Sequence, residues 1–440
     1  MVLQQGQPIS IWGSSTPDEQ VTVRFAGGTH ATIADTNGQW SVAIPAQPAN
    51  VTGQDLIVEG NNQIILKDVL IGEVWLCSGQ SNMAMSVSHC MDAKHETRKA
   101  NYPLIRNLNV SPNSAMEPLQ DVNTKGWTVC SPNTVEGFSA VSYFFARRLQ
   151  DQLTIPIGII TASYSNTRIE PWISPEGYQA VPELKVDFAD KLDQFPVVLK
   201  GTNVDVNSPL AIYNAMIAPL TPLKVQGILW YQGESNVGDG FIYHYKMEAL
   251  IQGWRNVWNR KDMPFYFVQL APCRYRDPVA LPKAWNAQLA TLLRLKETGM
   301  VVTTDLNPTF DLHPTNKQDV GHRLALWALT NTYEQSVGPT SGPLLDYIEQ
   351  RGNELVVHFQ PGTADGLHLT KECDPSSKFE ISSGDGQWTE ATARVENDTI
   401  VLNSTAIPSP KLARFAWNQL AKARLFNSAR LPASPFTSDM

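Results

Sequence analysis

Residues 75–85 read WLCSGQSNMAM, an apolar run that breaks at two serines bracketing Gly-Gln and then resumes. A serine at such a break can attack an ester carbonyl, provided that an imidazole takes its proton, a carboxylate orients the imidazole and N–H groups hold the developing oxyanion. The remaining parts stand at comparable breaks further along. GIITA leads into SYSNTRIEPW, GILWY into QGESN, FYFV into QLAPCRYR, and GMVVTT into DLNPTFDLHP. Together these exits offer hydroxyls, amides, carboxylates and a histidine, His313.

The apolar runs read as parallel strands, because helical periods separate them, as in βαβ units. Convincing helices are FSAVSYFFARRLQDQL with Ser139 as N-cap, a segment from about Phe241 to Trp258, and one that begins after Pro314. The expected core is a five-stranded α/β layer over residues 69–336. Ligands of such sheets bind beyond the carboxyl ends of the strands, which is where the polar exits lie. Residues 1–68 and 337–440 show period-two segments between turn residues, such as VTVRFAG, WSVAIP, NELVVHF and DTIVLNS, and read as small β domains that could pack together.

Bulk properties narrow the function. The chain has 440 residues, a formal charge of −8, 42% hydrophobic and 17% charged residues, a globular composition with no basic stripe for nucleic acid. There is no apolar stretch of the ~18 residues that a membrane span needs, and MVLQQGQP lacks the regions of a signal peptide. The five cysteines lack CxxC spacing, and the only metal-like cluster (His89, Cys90, Asp92, His95) reads as loop polarity. No metal or cofactor is expected; the partner is a small molecule such as an acetylated sugar, and oligomeric state is left open.

The GxSxG elbow of α/β-hydrolases is absent, since Met83 occupies the second glycine position, so another serine-hydrolase layout is required. The chain resembles the sialate O-acetylesterases, within the SGNH-type hydrolases. The resemblance runs through MVLQ…ISIWG, GEVWLCSGQSNMAM, IEPW, WYQGESN, DLHPTNKQDVGHRLA and LFNSARLPASPF, and thus over nearly the whole chain. It implies Ser81 as nucleophile, His313 as base and an SGNH-like catalytic sheet. It also implies a family that is often exported, within whose pattern this chain begins part-way. Ser165 stands where the family often has the oxyanion glycine, so the expected hole consists of the Ser81 and Ser165 N–H groups and the Gln232 amide. Ser78 is left as a capping or turn residue.

Two carboxylates compete to orient His313. Asp311 lies two residues before it and shares its face in an extended segment, with Cα atoms roughly 6.5 Å apart; Glu234 reaches from the third strand. Gln80, Asn82, Arg168, Trp172, Asn236, Gln269 and Arg274 are candidates to contact substrate, the arginines because a guanidinium pairs bidentately with a carboxylate such as that of sialic acid. Against these stand plain roles: Ser81 as a helix N-cap, His313 as a loop residue, Gln232 as a partner for backbone groups, and the tryptophans as core. The expected activity is acetyl-ester hydrolysis on carbohydrate, most directly O-acetylated sialic acid. The alternatives are an acetylxylan or other polysaccharide esterase and a non-catalytic carbohydrate-binding protein.

Overall fold

The computed structural model describes residues 1–199, 203–371 and 374–439. Its centre is a sheet of β1 (Gln63–Gly79), β2 (Tyr102–Val110), β3 (Thr124–Cys130), β4 (Ile157–Ser163), β5 (Gly227–Tyr231), β6 (Phe265–Val268) and β7 (Thr298–Val301), in the order β7-β6-β5-β1-β4-β2-β3. Every neighbouring pair is parallel except β2 with the edge strand β3. All five anticipated strands are present, but the parallel layer has a sixth member, β2. Its segment YPLIRNLNV carries Arg106 and Asn107 and so does not read as an apolar run. Both side chains are nonetheless buried, and both are paired: Arg106 with Asp68 at 2.6 Å, and Asn107 with the Thr161 hydroxyl at 3.1 Å.

Side chains alternate along each strand, so one sheet feeds two cores. Trp75, Cys77, Ile159 and Leu229 face the layer that holds α1 (Ala140–Leu153) and α4 (Lys317–Trp327). Leu76, Ile160, Ile228 and Trp230 face the layer of α2 (Ile242–Val257) and α3 (Ala280–Arg294). Ser139 caps α1 by accepting the Ser142 N–H, as its position before the helix suggests. Helix α3 lies in a stretch not read as helical; Pro282 falls in its first turn, where the missing N–H has no intrahelical partner to lose.

At the ends of the chain the predicted strands form at Gln20–Phe25, Gln39–Ile44, Glu354–Phe359, Phe379–Ser382 and Thr399–Asn403. The position read as a boundary, between 68 and 69, falls inside β1, a single 17-residue strand whose first half pairs with Asn50–Glu59 and whose second half is the middle of the central sheet. Among the described residues the C-terminal strands pair only with one another, in separate sheets. Ser78 is a buried strand residue within β1 rather than a cap, and its Oγ has no partner among the described residues. No described helix is long and apolar enough to cross a membrane.

Candidate active site

Ser81 begins a single helical turn, Ser81–Ala84, directly after β1. The backbone bends sharply there at Gly79, with φ of +139° and with the Tyr231 carbonyl so close that a Cβ would sit 2.1 Å from it. Only glycine meets both conditions. The bend tips Ser81 out of the sheet, and its Oγ lies 2.7 Å from His313 Nε2, a side chain 232 residues away in sequence. The His313 loop is held from both sides: Asn307 receives the Asp311 N–H (3.1 Å) and donates to the Asp311 carbonyl (2.8 Å), and Asn82 donates to the Leu312 carbonyl at 2.9 Å. Burial, and then the nearby Lys317, pull the imidazole below its ordinary value, which favours the neutral form that accepts a proton.

Neither candidate acid is bonded to that imidazole. The Asp311 carboxylate is exposed and accepts the Thr309 hydroxyl at 2.7 Å. Glu234 instead accepts Asn82 Nδ2 at 2.5 Å, and burial raises its carboxyl above the usual range. Among the described residues His313 has one side-chain hydrogen bond, to Ser81. The unanticipated member of the site is Lys317, fully buried beneath it. Its ammonium donates to Asn82 Oδ1 at 2.6 Å and sits 5.0 Å above the Tyr231 ring. Burial draws its pKa down to about 7, with Glu234 acting in the opposite direction. The sequence carried one signal for it: it is four residues past His313, at the first position of α4, within the quoted DLHPTNK.

The other predicted residues divide by whether their polar atoms are already engaged. Gln232 is wholly buried, with its amide nitrogen on Thr167 O (3.0 Å) and Asn236 Oδ1 (2.8 Å) and its oxygen receiving Tyr243 Oη (2.9 Å). Asn236 is equally engaged, donating to Glu170 (2.9 Å) and Asp239 (2.8 Å) and accepting the Ile169 N–H (2.9 Å). Arg168 pairs with Glu170 at 2.7 Å and Asp239 at 2.9 Å, so its guanidinium is committed within the protein. Trp172 is buried against Trp230, its indole N–H on Thr167 Oγ1. Gln269 is buried and donates to Ser434, and Gln80 lies 2% exposed beside Glu234 and Thr167.

These side chains are held within the protein by their own contacts. The groups left facing outward are Ser81, Ser165, His313 and Arg274. Ser165 is exposed, and neither its N–H nor that of Ser81 donates to a described residue; Arg274 is exposed and without an ion pair among them. Four cysteines, Cys77, Cys90, Cys130 and Cys273, are free thiols, and Cys373 lies outside the described residues. No cluster of three or more His, Cys, Asp or Glu among the described residues is placed to hold a metal ion.

A helix-flanked parallel sheet with a serine and a histidine in contact at its carboxyl edge defines an SGNH-hydrolase-like fold. Residues 71–330 match the family of carbohydrate esterases described as sialic acid-specific acetylesterase, and the chain belongs to that family. Sialate O-acetylesterases of Homo sapiens and Pongo abelii are each 30% identical to it over 99% of this chain and 90% of theirs. The crystal structure of a carbohydrate acetylesterase from Xanthomonas citri superposes with a TM-score of 0.88 at 31% identity, covering 100% of this chain and 97% of that one. The protein is accordingly a carboxylic ester hydrolase acting on acetylated carbohydrate.

Proposed function

We propose that the protein removes O-acetyl groups from sialic acid by covalent catalysis at Ser81. The observation that carries this reading is the 2.7 Å contact between Ser81 Oγ and His313 Nε2 at the carboxyl edge of the sheet. Ser81 attacks the acetyl carbonyl as His313 takes the hydroxyl proton. The tetrahedral oxyanion is met by the Ser81 and Ser165 N–H groups, which are free to donate. Collapse expels the sugar alkoxide, protonated by His313, and leaves an acetyl-serine. Water, deprotonated by His313, then releases acetate and restores Ser81.

In this reading His313 and Ser81 work as a dyad, and the Asn82–Leu312 and Asn307–Asp311 bonds position the imidazole through the backbone of its own loop. Gln232 acts from below, through the carbonyl of Thr167, to fix the turn that presents Ser165. Arg274, exposed and unpaired, receives the sialate carboxylate. Acetate release measured on O-acetylated sialic acid and on acetylated xylan tests the substrate. Turnover of the sialate, abolished in Ser81→Ala and indifferent to chelators, is the expected result. Turnover of xylan alone rejects the sialate assignment, and activity that a chelator removes and zinc restores rejects the serine mechanism.

A further inference from the structure

Away from Ser81 and His313, a cavity of about 550 Å³ lies in the seam between α3, the turn that leads into α2, and the C-terminal strands. That is within the size range of sites that take a small ligand. Three aromatic side chains line it: Phe241, which is 42% exposed, and the half-buried Trp388 and Trp417. Lys283 and Asn286, one helical turn apart on α3, share its polar wall with Arg414, Thr437 and Asp439.

Asn286 is only 7% exposed, yet its side-chain amide forms no hydrogen bond with any described residue, and its Oδ1 is buried without a partner. A buried amide in that state is costly unless something arrives to pair with it. Arg414 also lines the cavity, with its guanidinium 4.4 Å over one face of the Trp388 ring and its Nε on Glu380 at 2.7 Å, which fixes the indole plane. Lys283 is exposed and has no ion pair among the described residues.

Flat aromatic faces beside an unpaired amide oxygen that accepts and an unpaired ammonium that donates match one ligand class, a pyranose. Its ring C–H groups lie on the negative face of an indole while its hydroxyls take the polar groups around the rim. We infer that this cavity is a second sugar-binding site, which holds a glycan residue other than the one being deacetylated. The inference rests on the carbohydrate reading of the active site, but it does not depend on which sugar carries the acetyl group.

Calorimetry with unacetylated 3′-sialyllactose and xylotetraose tests it on the full chain, alongside Trp417→Ala, Asn286→Leu and the rim variant Lys283→Ala. Hydrolysis of p-nitrophenyl acetate serves as the control for an intact active site. The expected result is binding of sialyllactose weakened about tenfold or more by Trp417→Ala and Asn286→Leu and less by Lys283→Ala, with the small ester hydrolysed within about twofold of wild type. Binding of xylotetraose alone, with the same dependence on Trp417, supports the site and leaves the sugar that is deacetylated to the acetate-release assay. Failure of both sugars to bind, or equal binding by wild type and all three variants, overturns the inference. If the two interior variants lose activity on the small ester, Lys283→Ala decides, and unchanged affinity there counts against the site.

Discussion

Among the described residues two lysines are buried within the catalytic layer, and their surroundings could hardly differ more. Lys246, on α2, is 5% exposed and contacts two carboxylates, Glu170 at 2.7 Å and Asp239 at 2.5 Å; both carboxylates also pair with Arg168 and bond to Asn236. Lys317 is 0% exposed and contacts an amide oxygen and the face of a tyrosine, with no carboxylate in ion-pair range among the described residues. The first network satisfies its charges, and the pairing holds the Glu170 and Asp239 carboxyls below their usual range. The second leaves its cation under-compensated, so that burial drags the ammonium down to about 7. Satisfied polar networks rigidify a fold, whereas unsatisfied ones accumulate where a fold does chemistry. The Lys246 cluster is the foundation and the Lys317 cluster the working surface.

The contrast predicts opposite outcomes for opposite mutations. Ser81→Ala removes the nucleophile and lowers kcat by about 10⁶, the scale seen when a hydrolase loses a member of its catalytic unit, with unfolding by urea unchanged. Lys246→Met leaves the buried Glu170 and half-buried Asp239 carboxylates facing one arginine and costs about 3–5 kcal/mol in the same unfolding experiment, while surviving folded enzyme keeps kcat within about tenfold. A Lys246→Met protein of undiminished stability but little activity would erase the distinction between the two clusters.

Lys317→Met sharpens it. The ammonium holds Asn82, and Asn82 in turn holds both Glu234 and the carbonyl before His313, so its loss loosens the imidazole and lowers kcat by about 10², the cost of a misplacement near 1 Å. It also leaves a pH signature. His313 has a folded pKa below 6.5, so it stays neutral further into acid than free histidine, and the acid limb of wild-type kcat/KM lies below pH 6.5. Lys317 is protonated across that limb and contributes to the depression. In Lys317→Met the limb moves upward, only part of the way to 6.5, because burial is the larger cause. A profile that does not move assigns Lys317 to packing alone.

How much of this was readable in advance depended on whether a residue's role is written in its neighbours along the chain or across the fold. Ser81 and His313 were legible because each sits in a run whose ends are marked, by Gly79 before one and Pro314 after the other. The polar residues at strand exits were also found, but half of them face down. Asn236, Arg168 and Gln269 have the same composition and spacing as true site residues, and only the packing around them decides that Asn236 and Arg168 are already engaged and that the Gln269 amide nitrogen is spent on Ser434. Trp172 follows the commoner fate of a tryptophan. Lys317 escaped for the converse reason: a lysine opening a helix normally faces solvent, and nothing local says that Tyr231 and Asn82 will cover it. Strand β2 was hidden by Arg106 and Asn107, whose partners Asp68 and Thr161 lie on other strands.

The smallest expected effect concerns the orienting acid. If a carboxylate on Nδ1 fixed the imidazole tautomer, its replacement by an amide would lower kcat by roughly 10⁴. The Asp311 carboxylate is instead turned to Thr309 Oγ1 at 2.7 Å, and exposed hydrogen bonds of that kind contribute only about 0.5–1.5 kcal/mol. Asp311→Asn is therefore expected to keep kcat within about tenfold, since the backbone bonds of Asp311 to Asn307 survive the change. Glu234→Gln is expected to be similarly mild. Its carboxyl is already biased toward the protonated form by burial, and the amide retains an oxygen to accept Asn82 Nδ2. The double variant discriminates further: two mild losses that add describe a dyad held by its loop, whereas mild single losses that compound to about 10⁴ describe two acids able to replace one another. A 10⁴ loss in Asp311→Asn alone would mean that Asp311 turns from Thr309 to His313 once substrate is bound, and the Ser81–His313–Asp311 triad would replace the dyad.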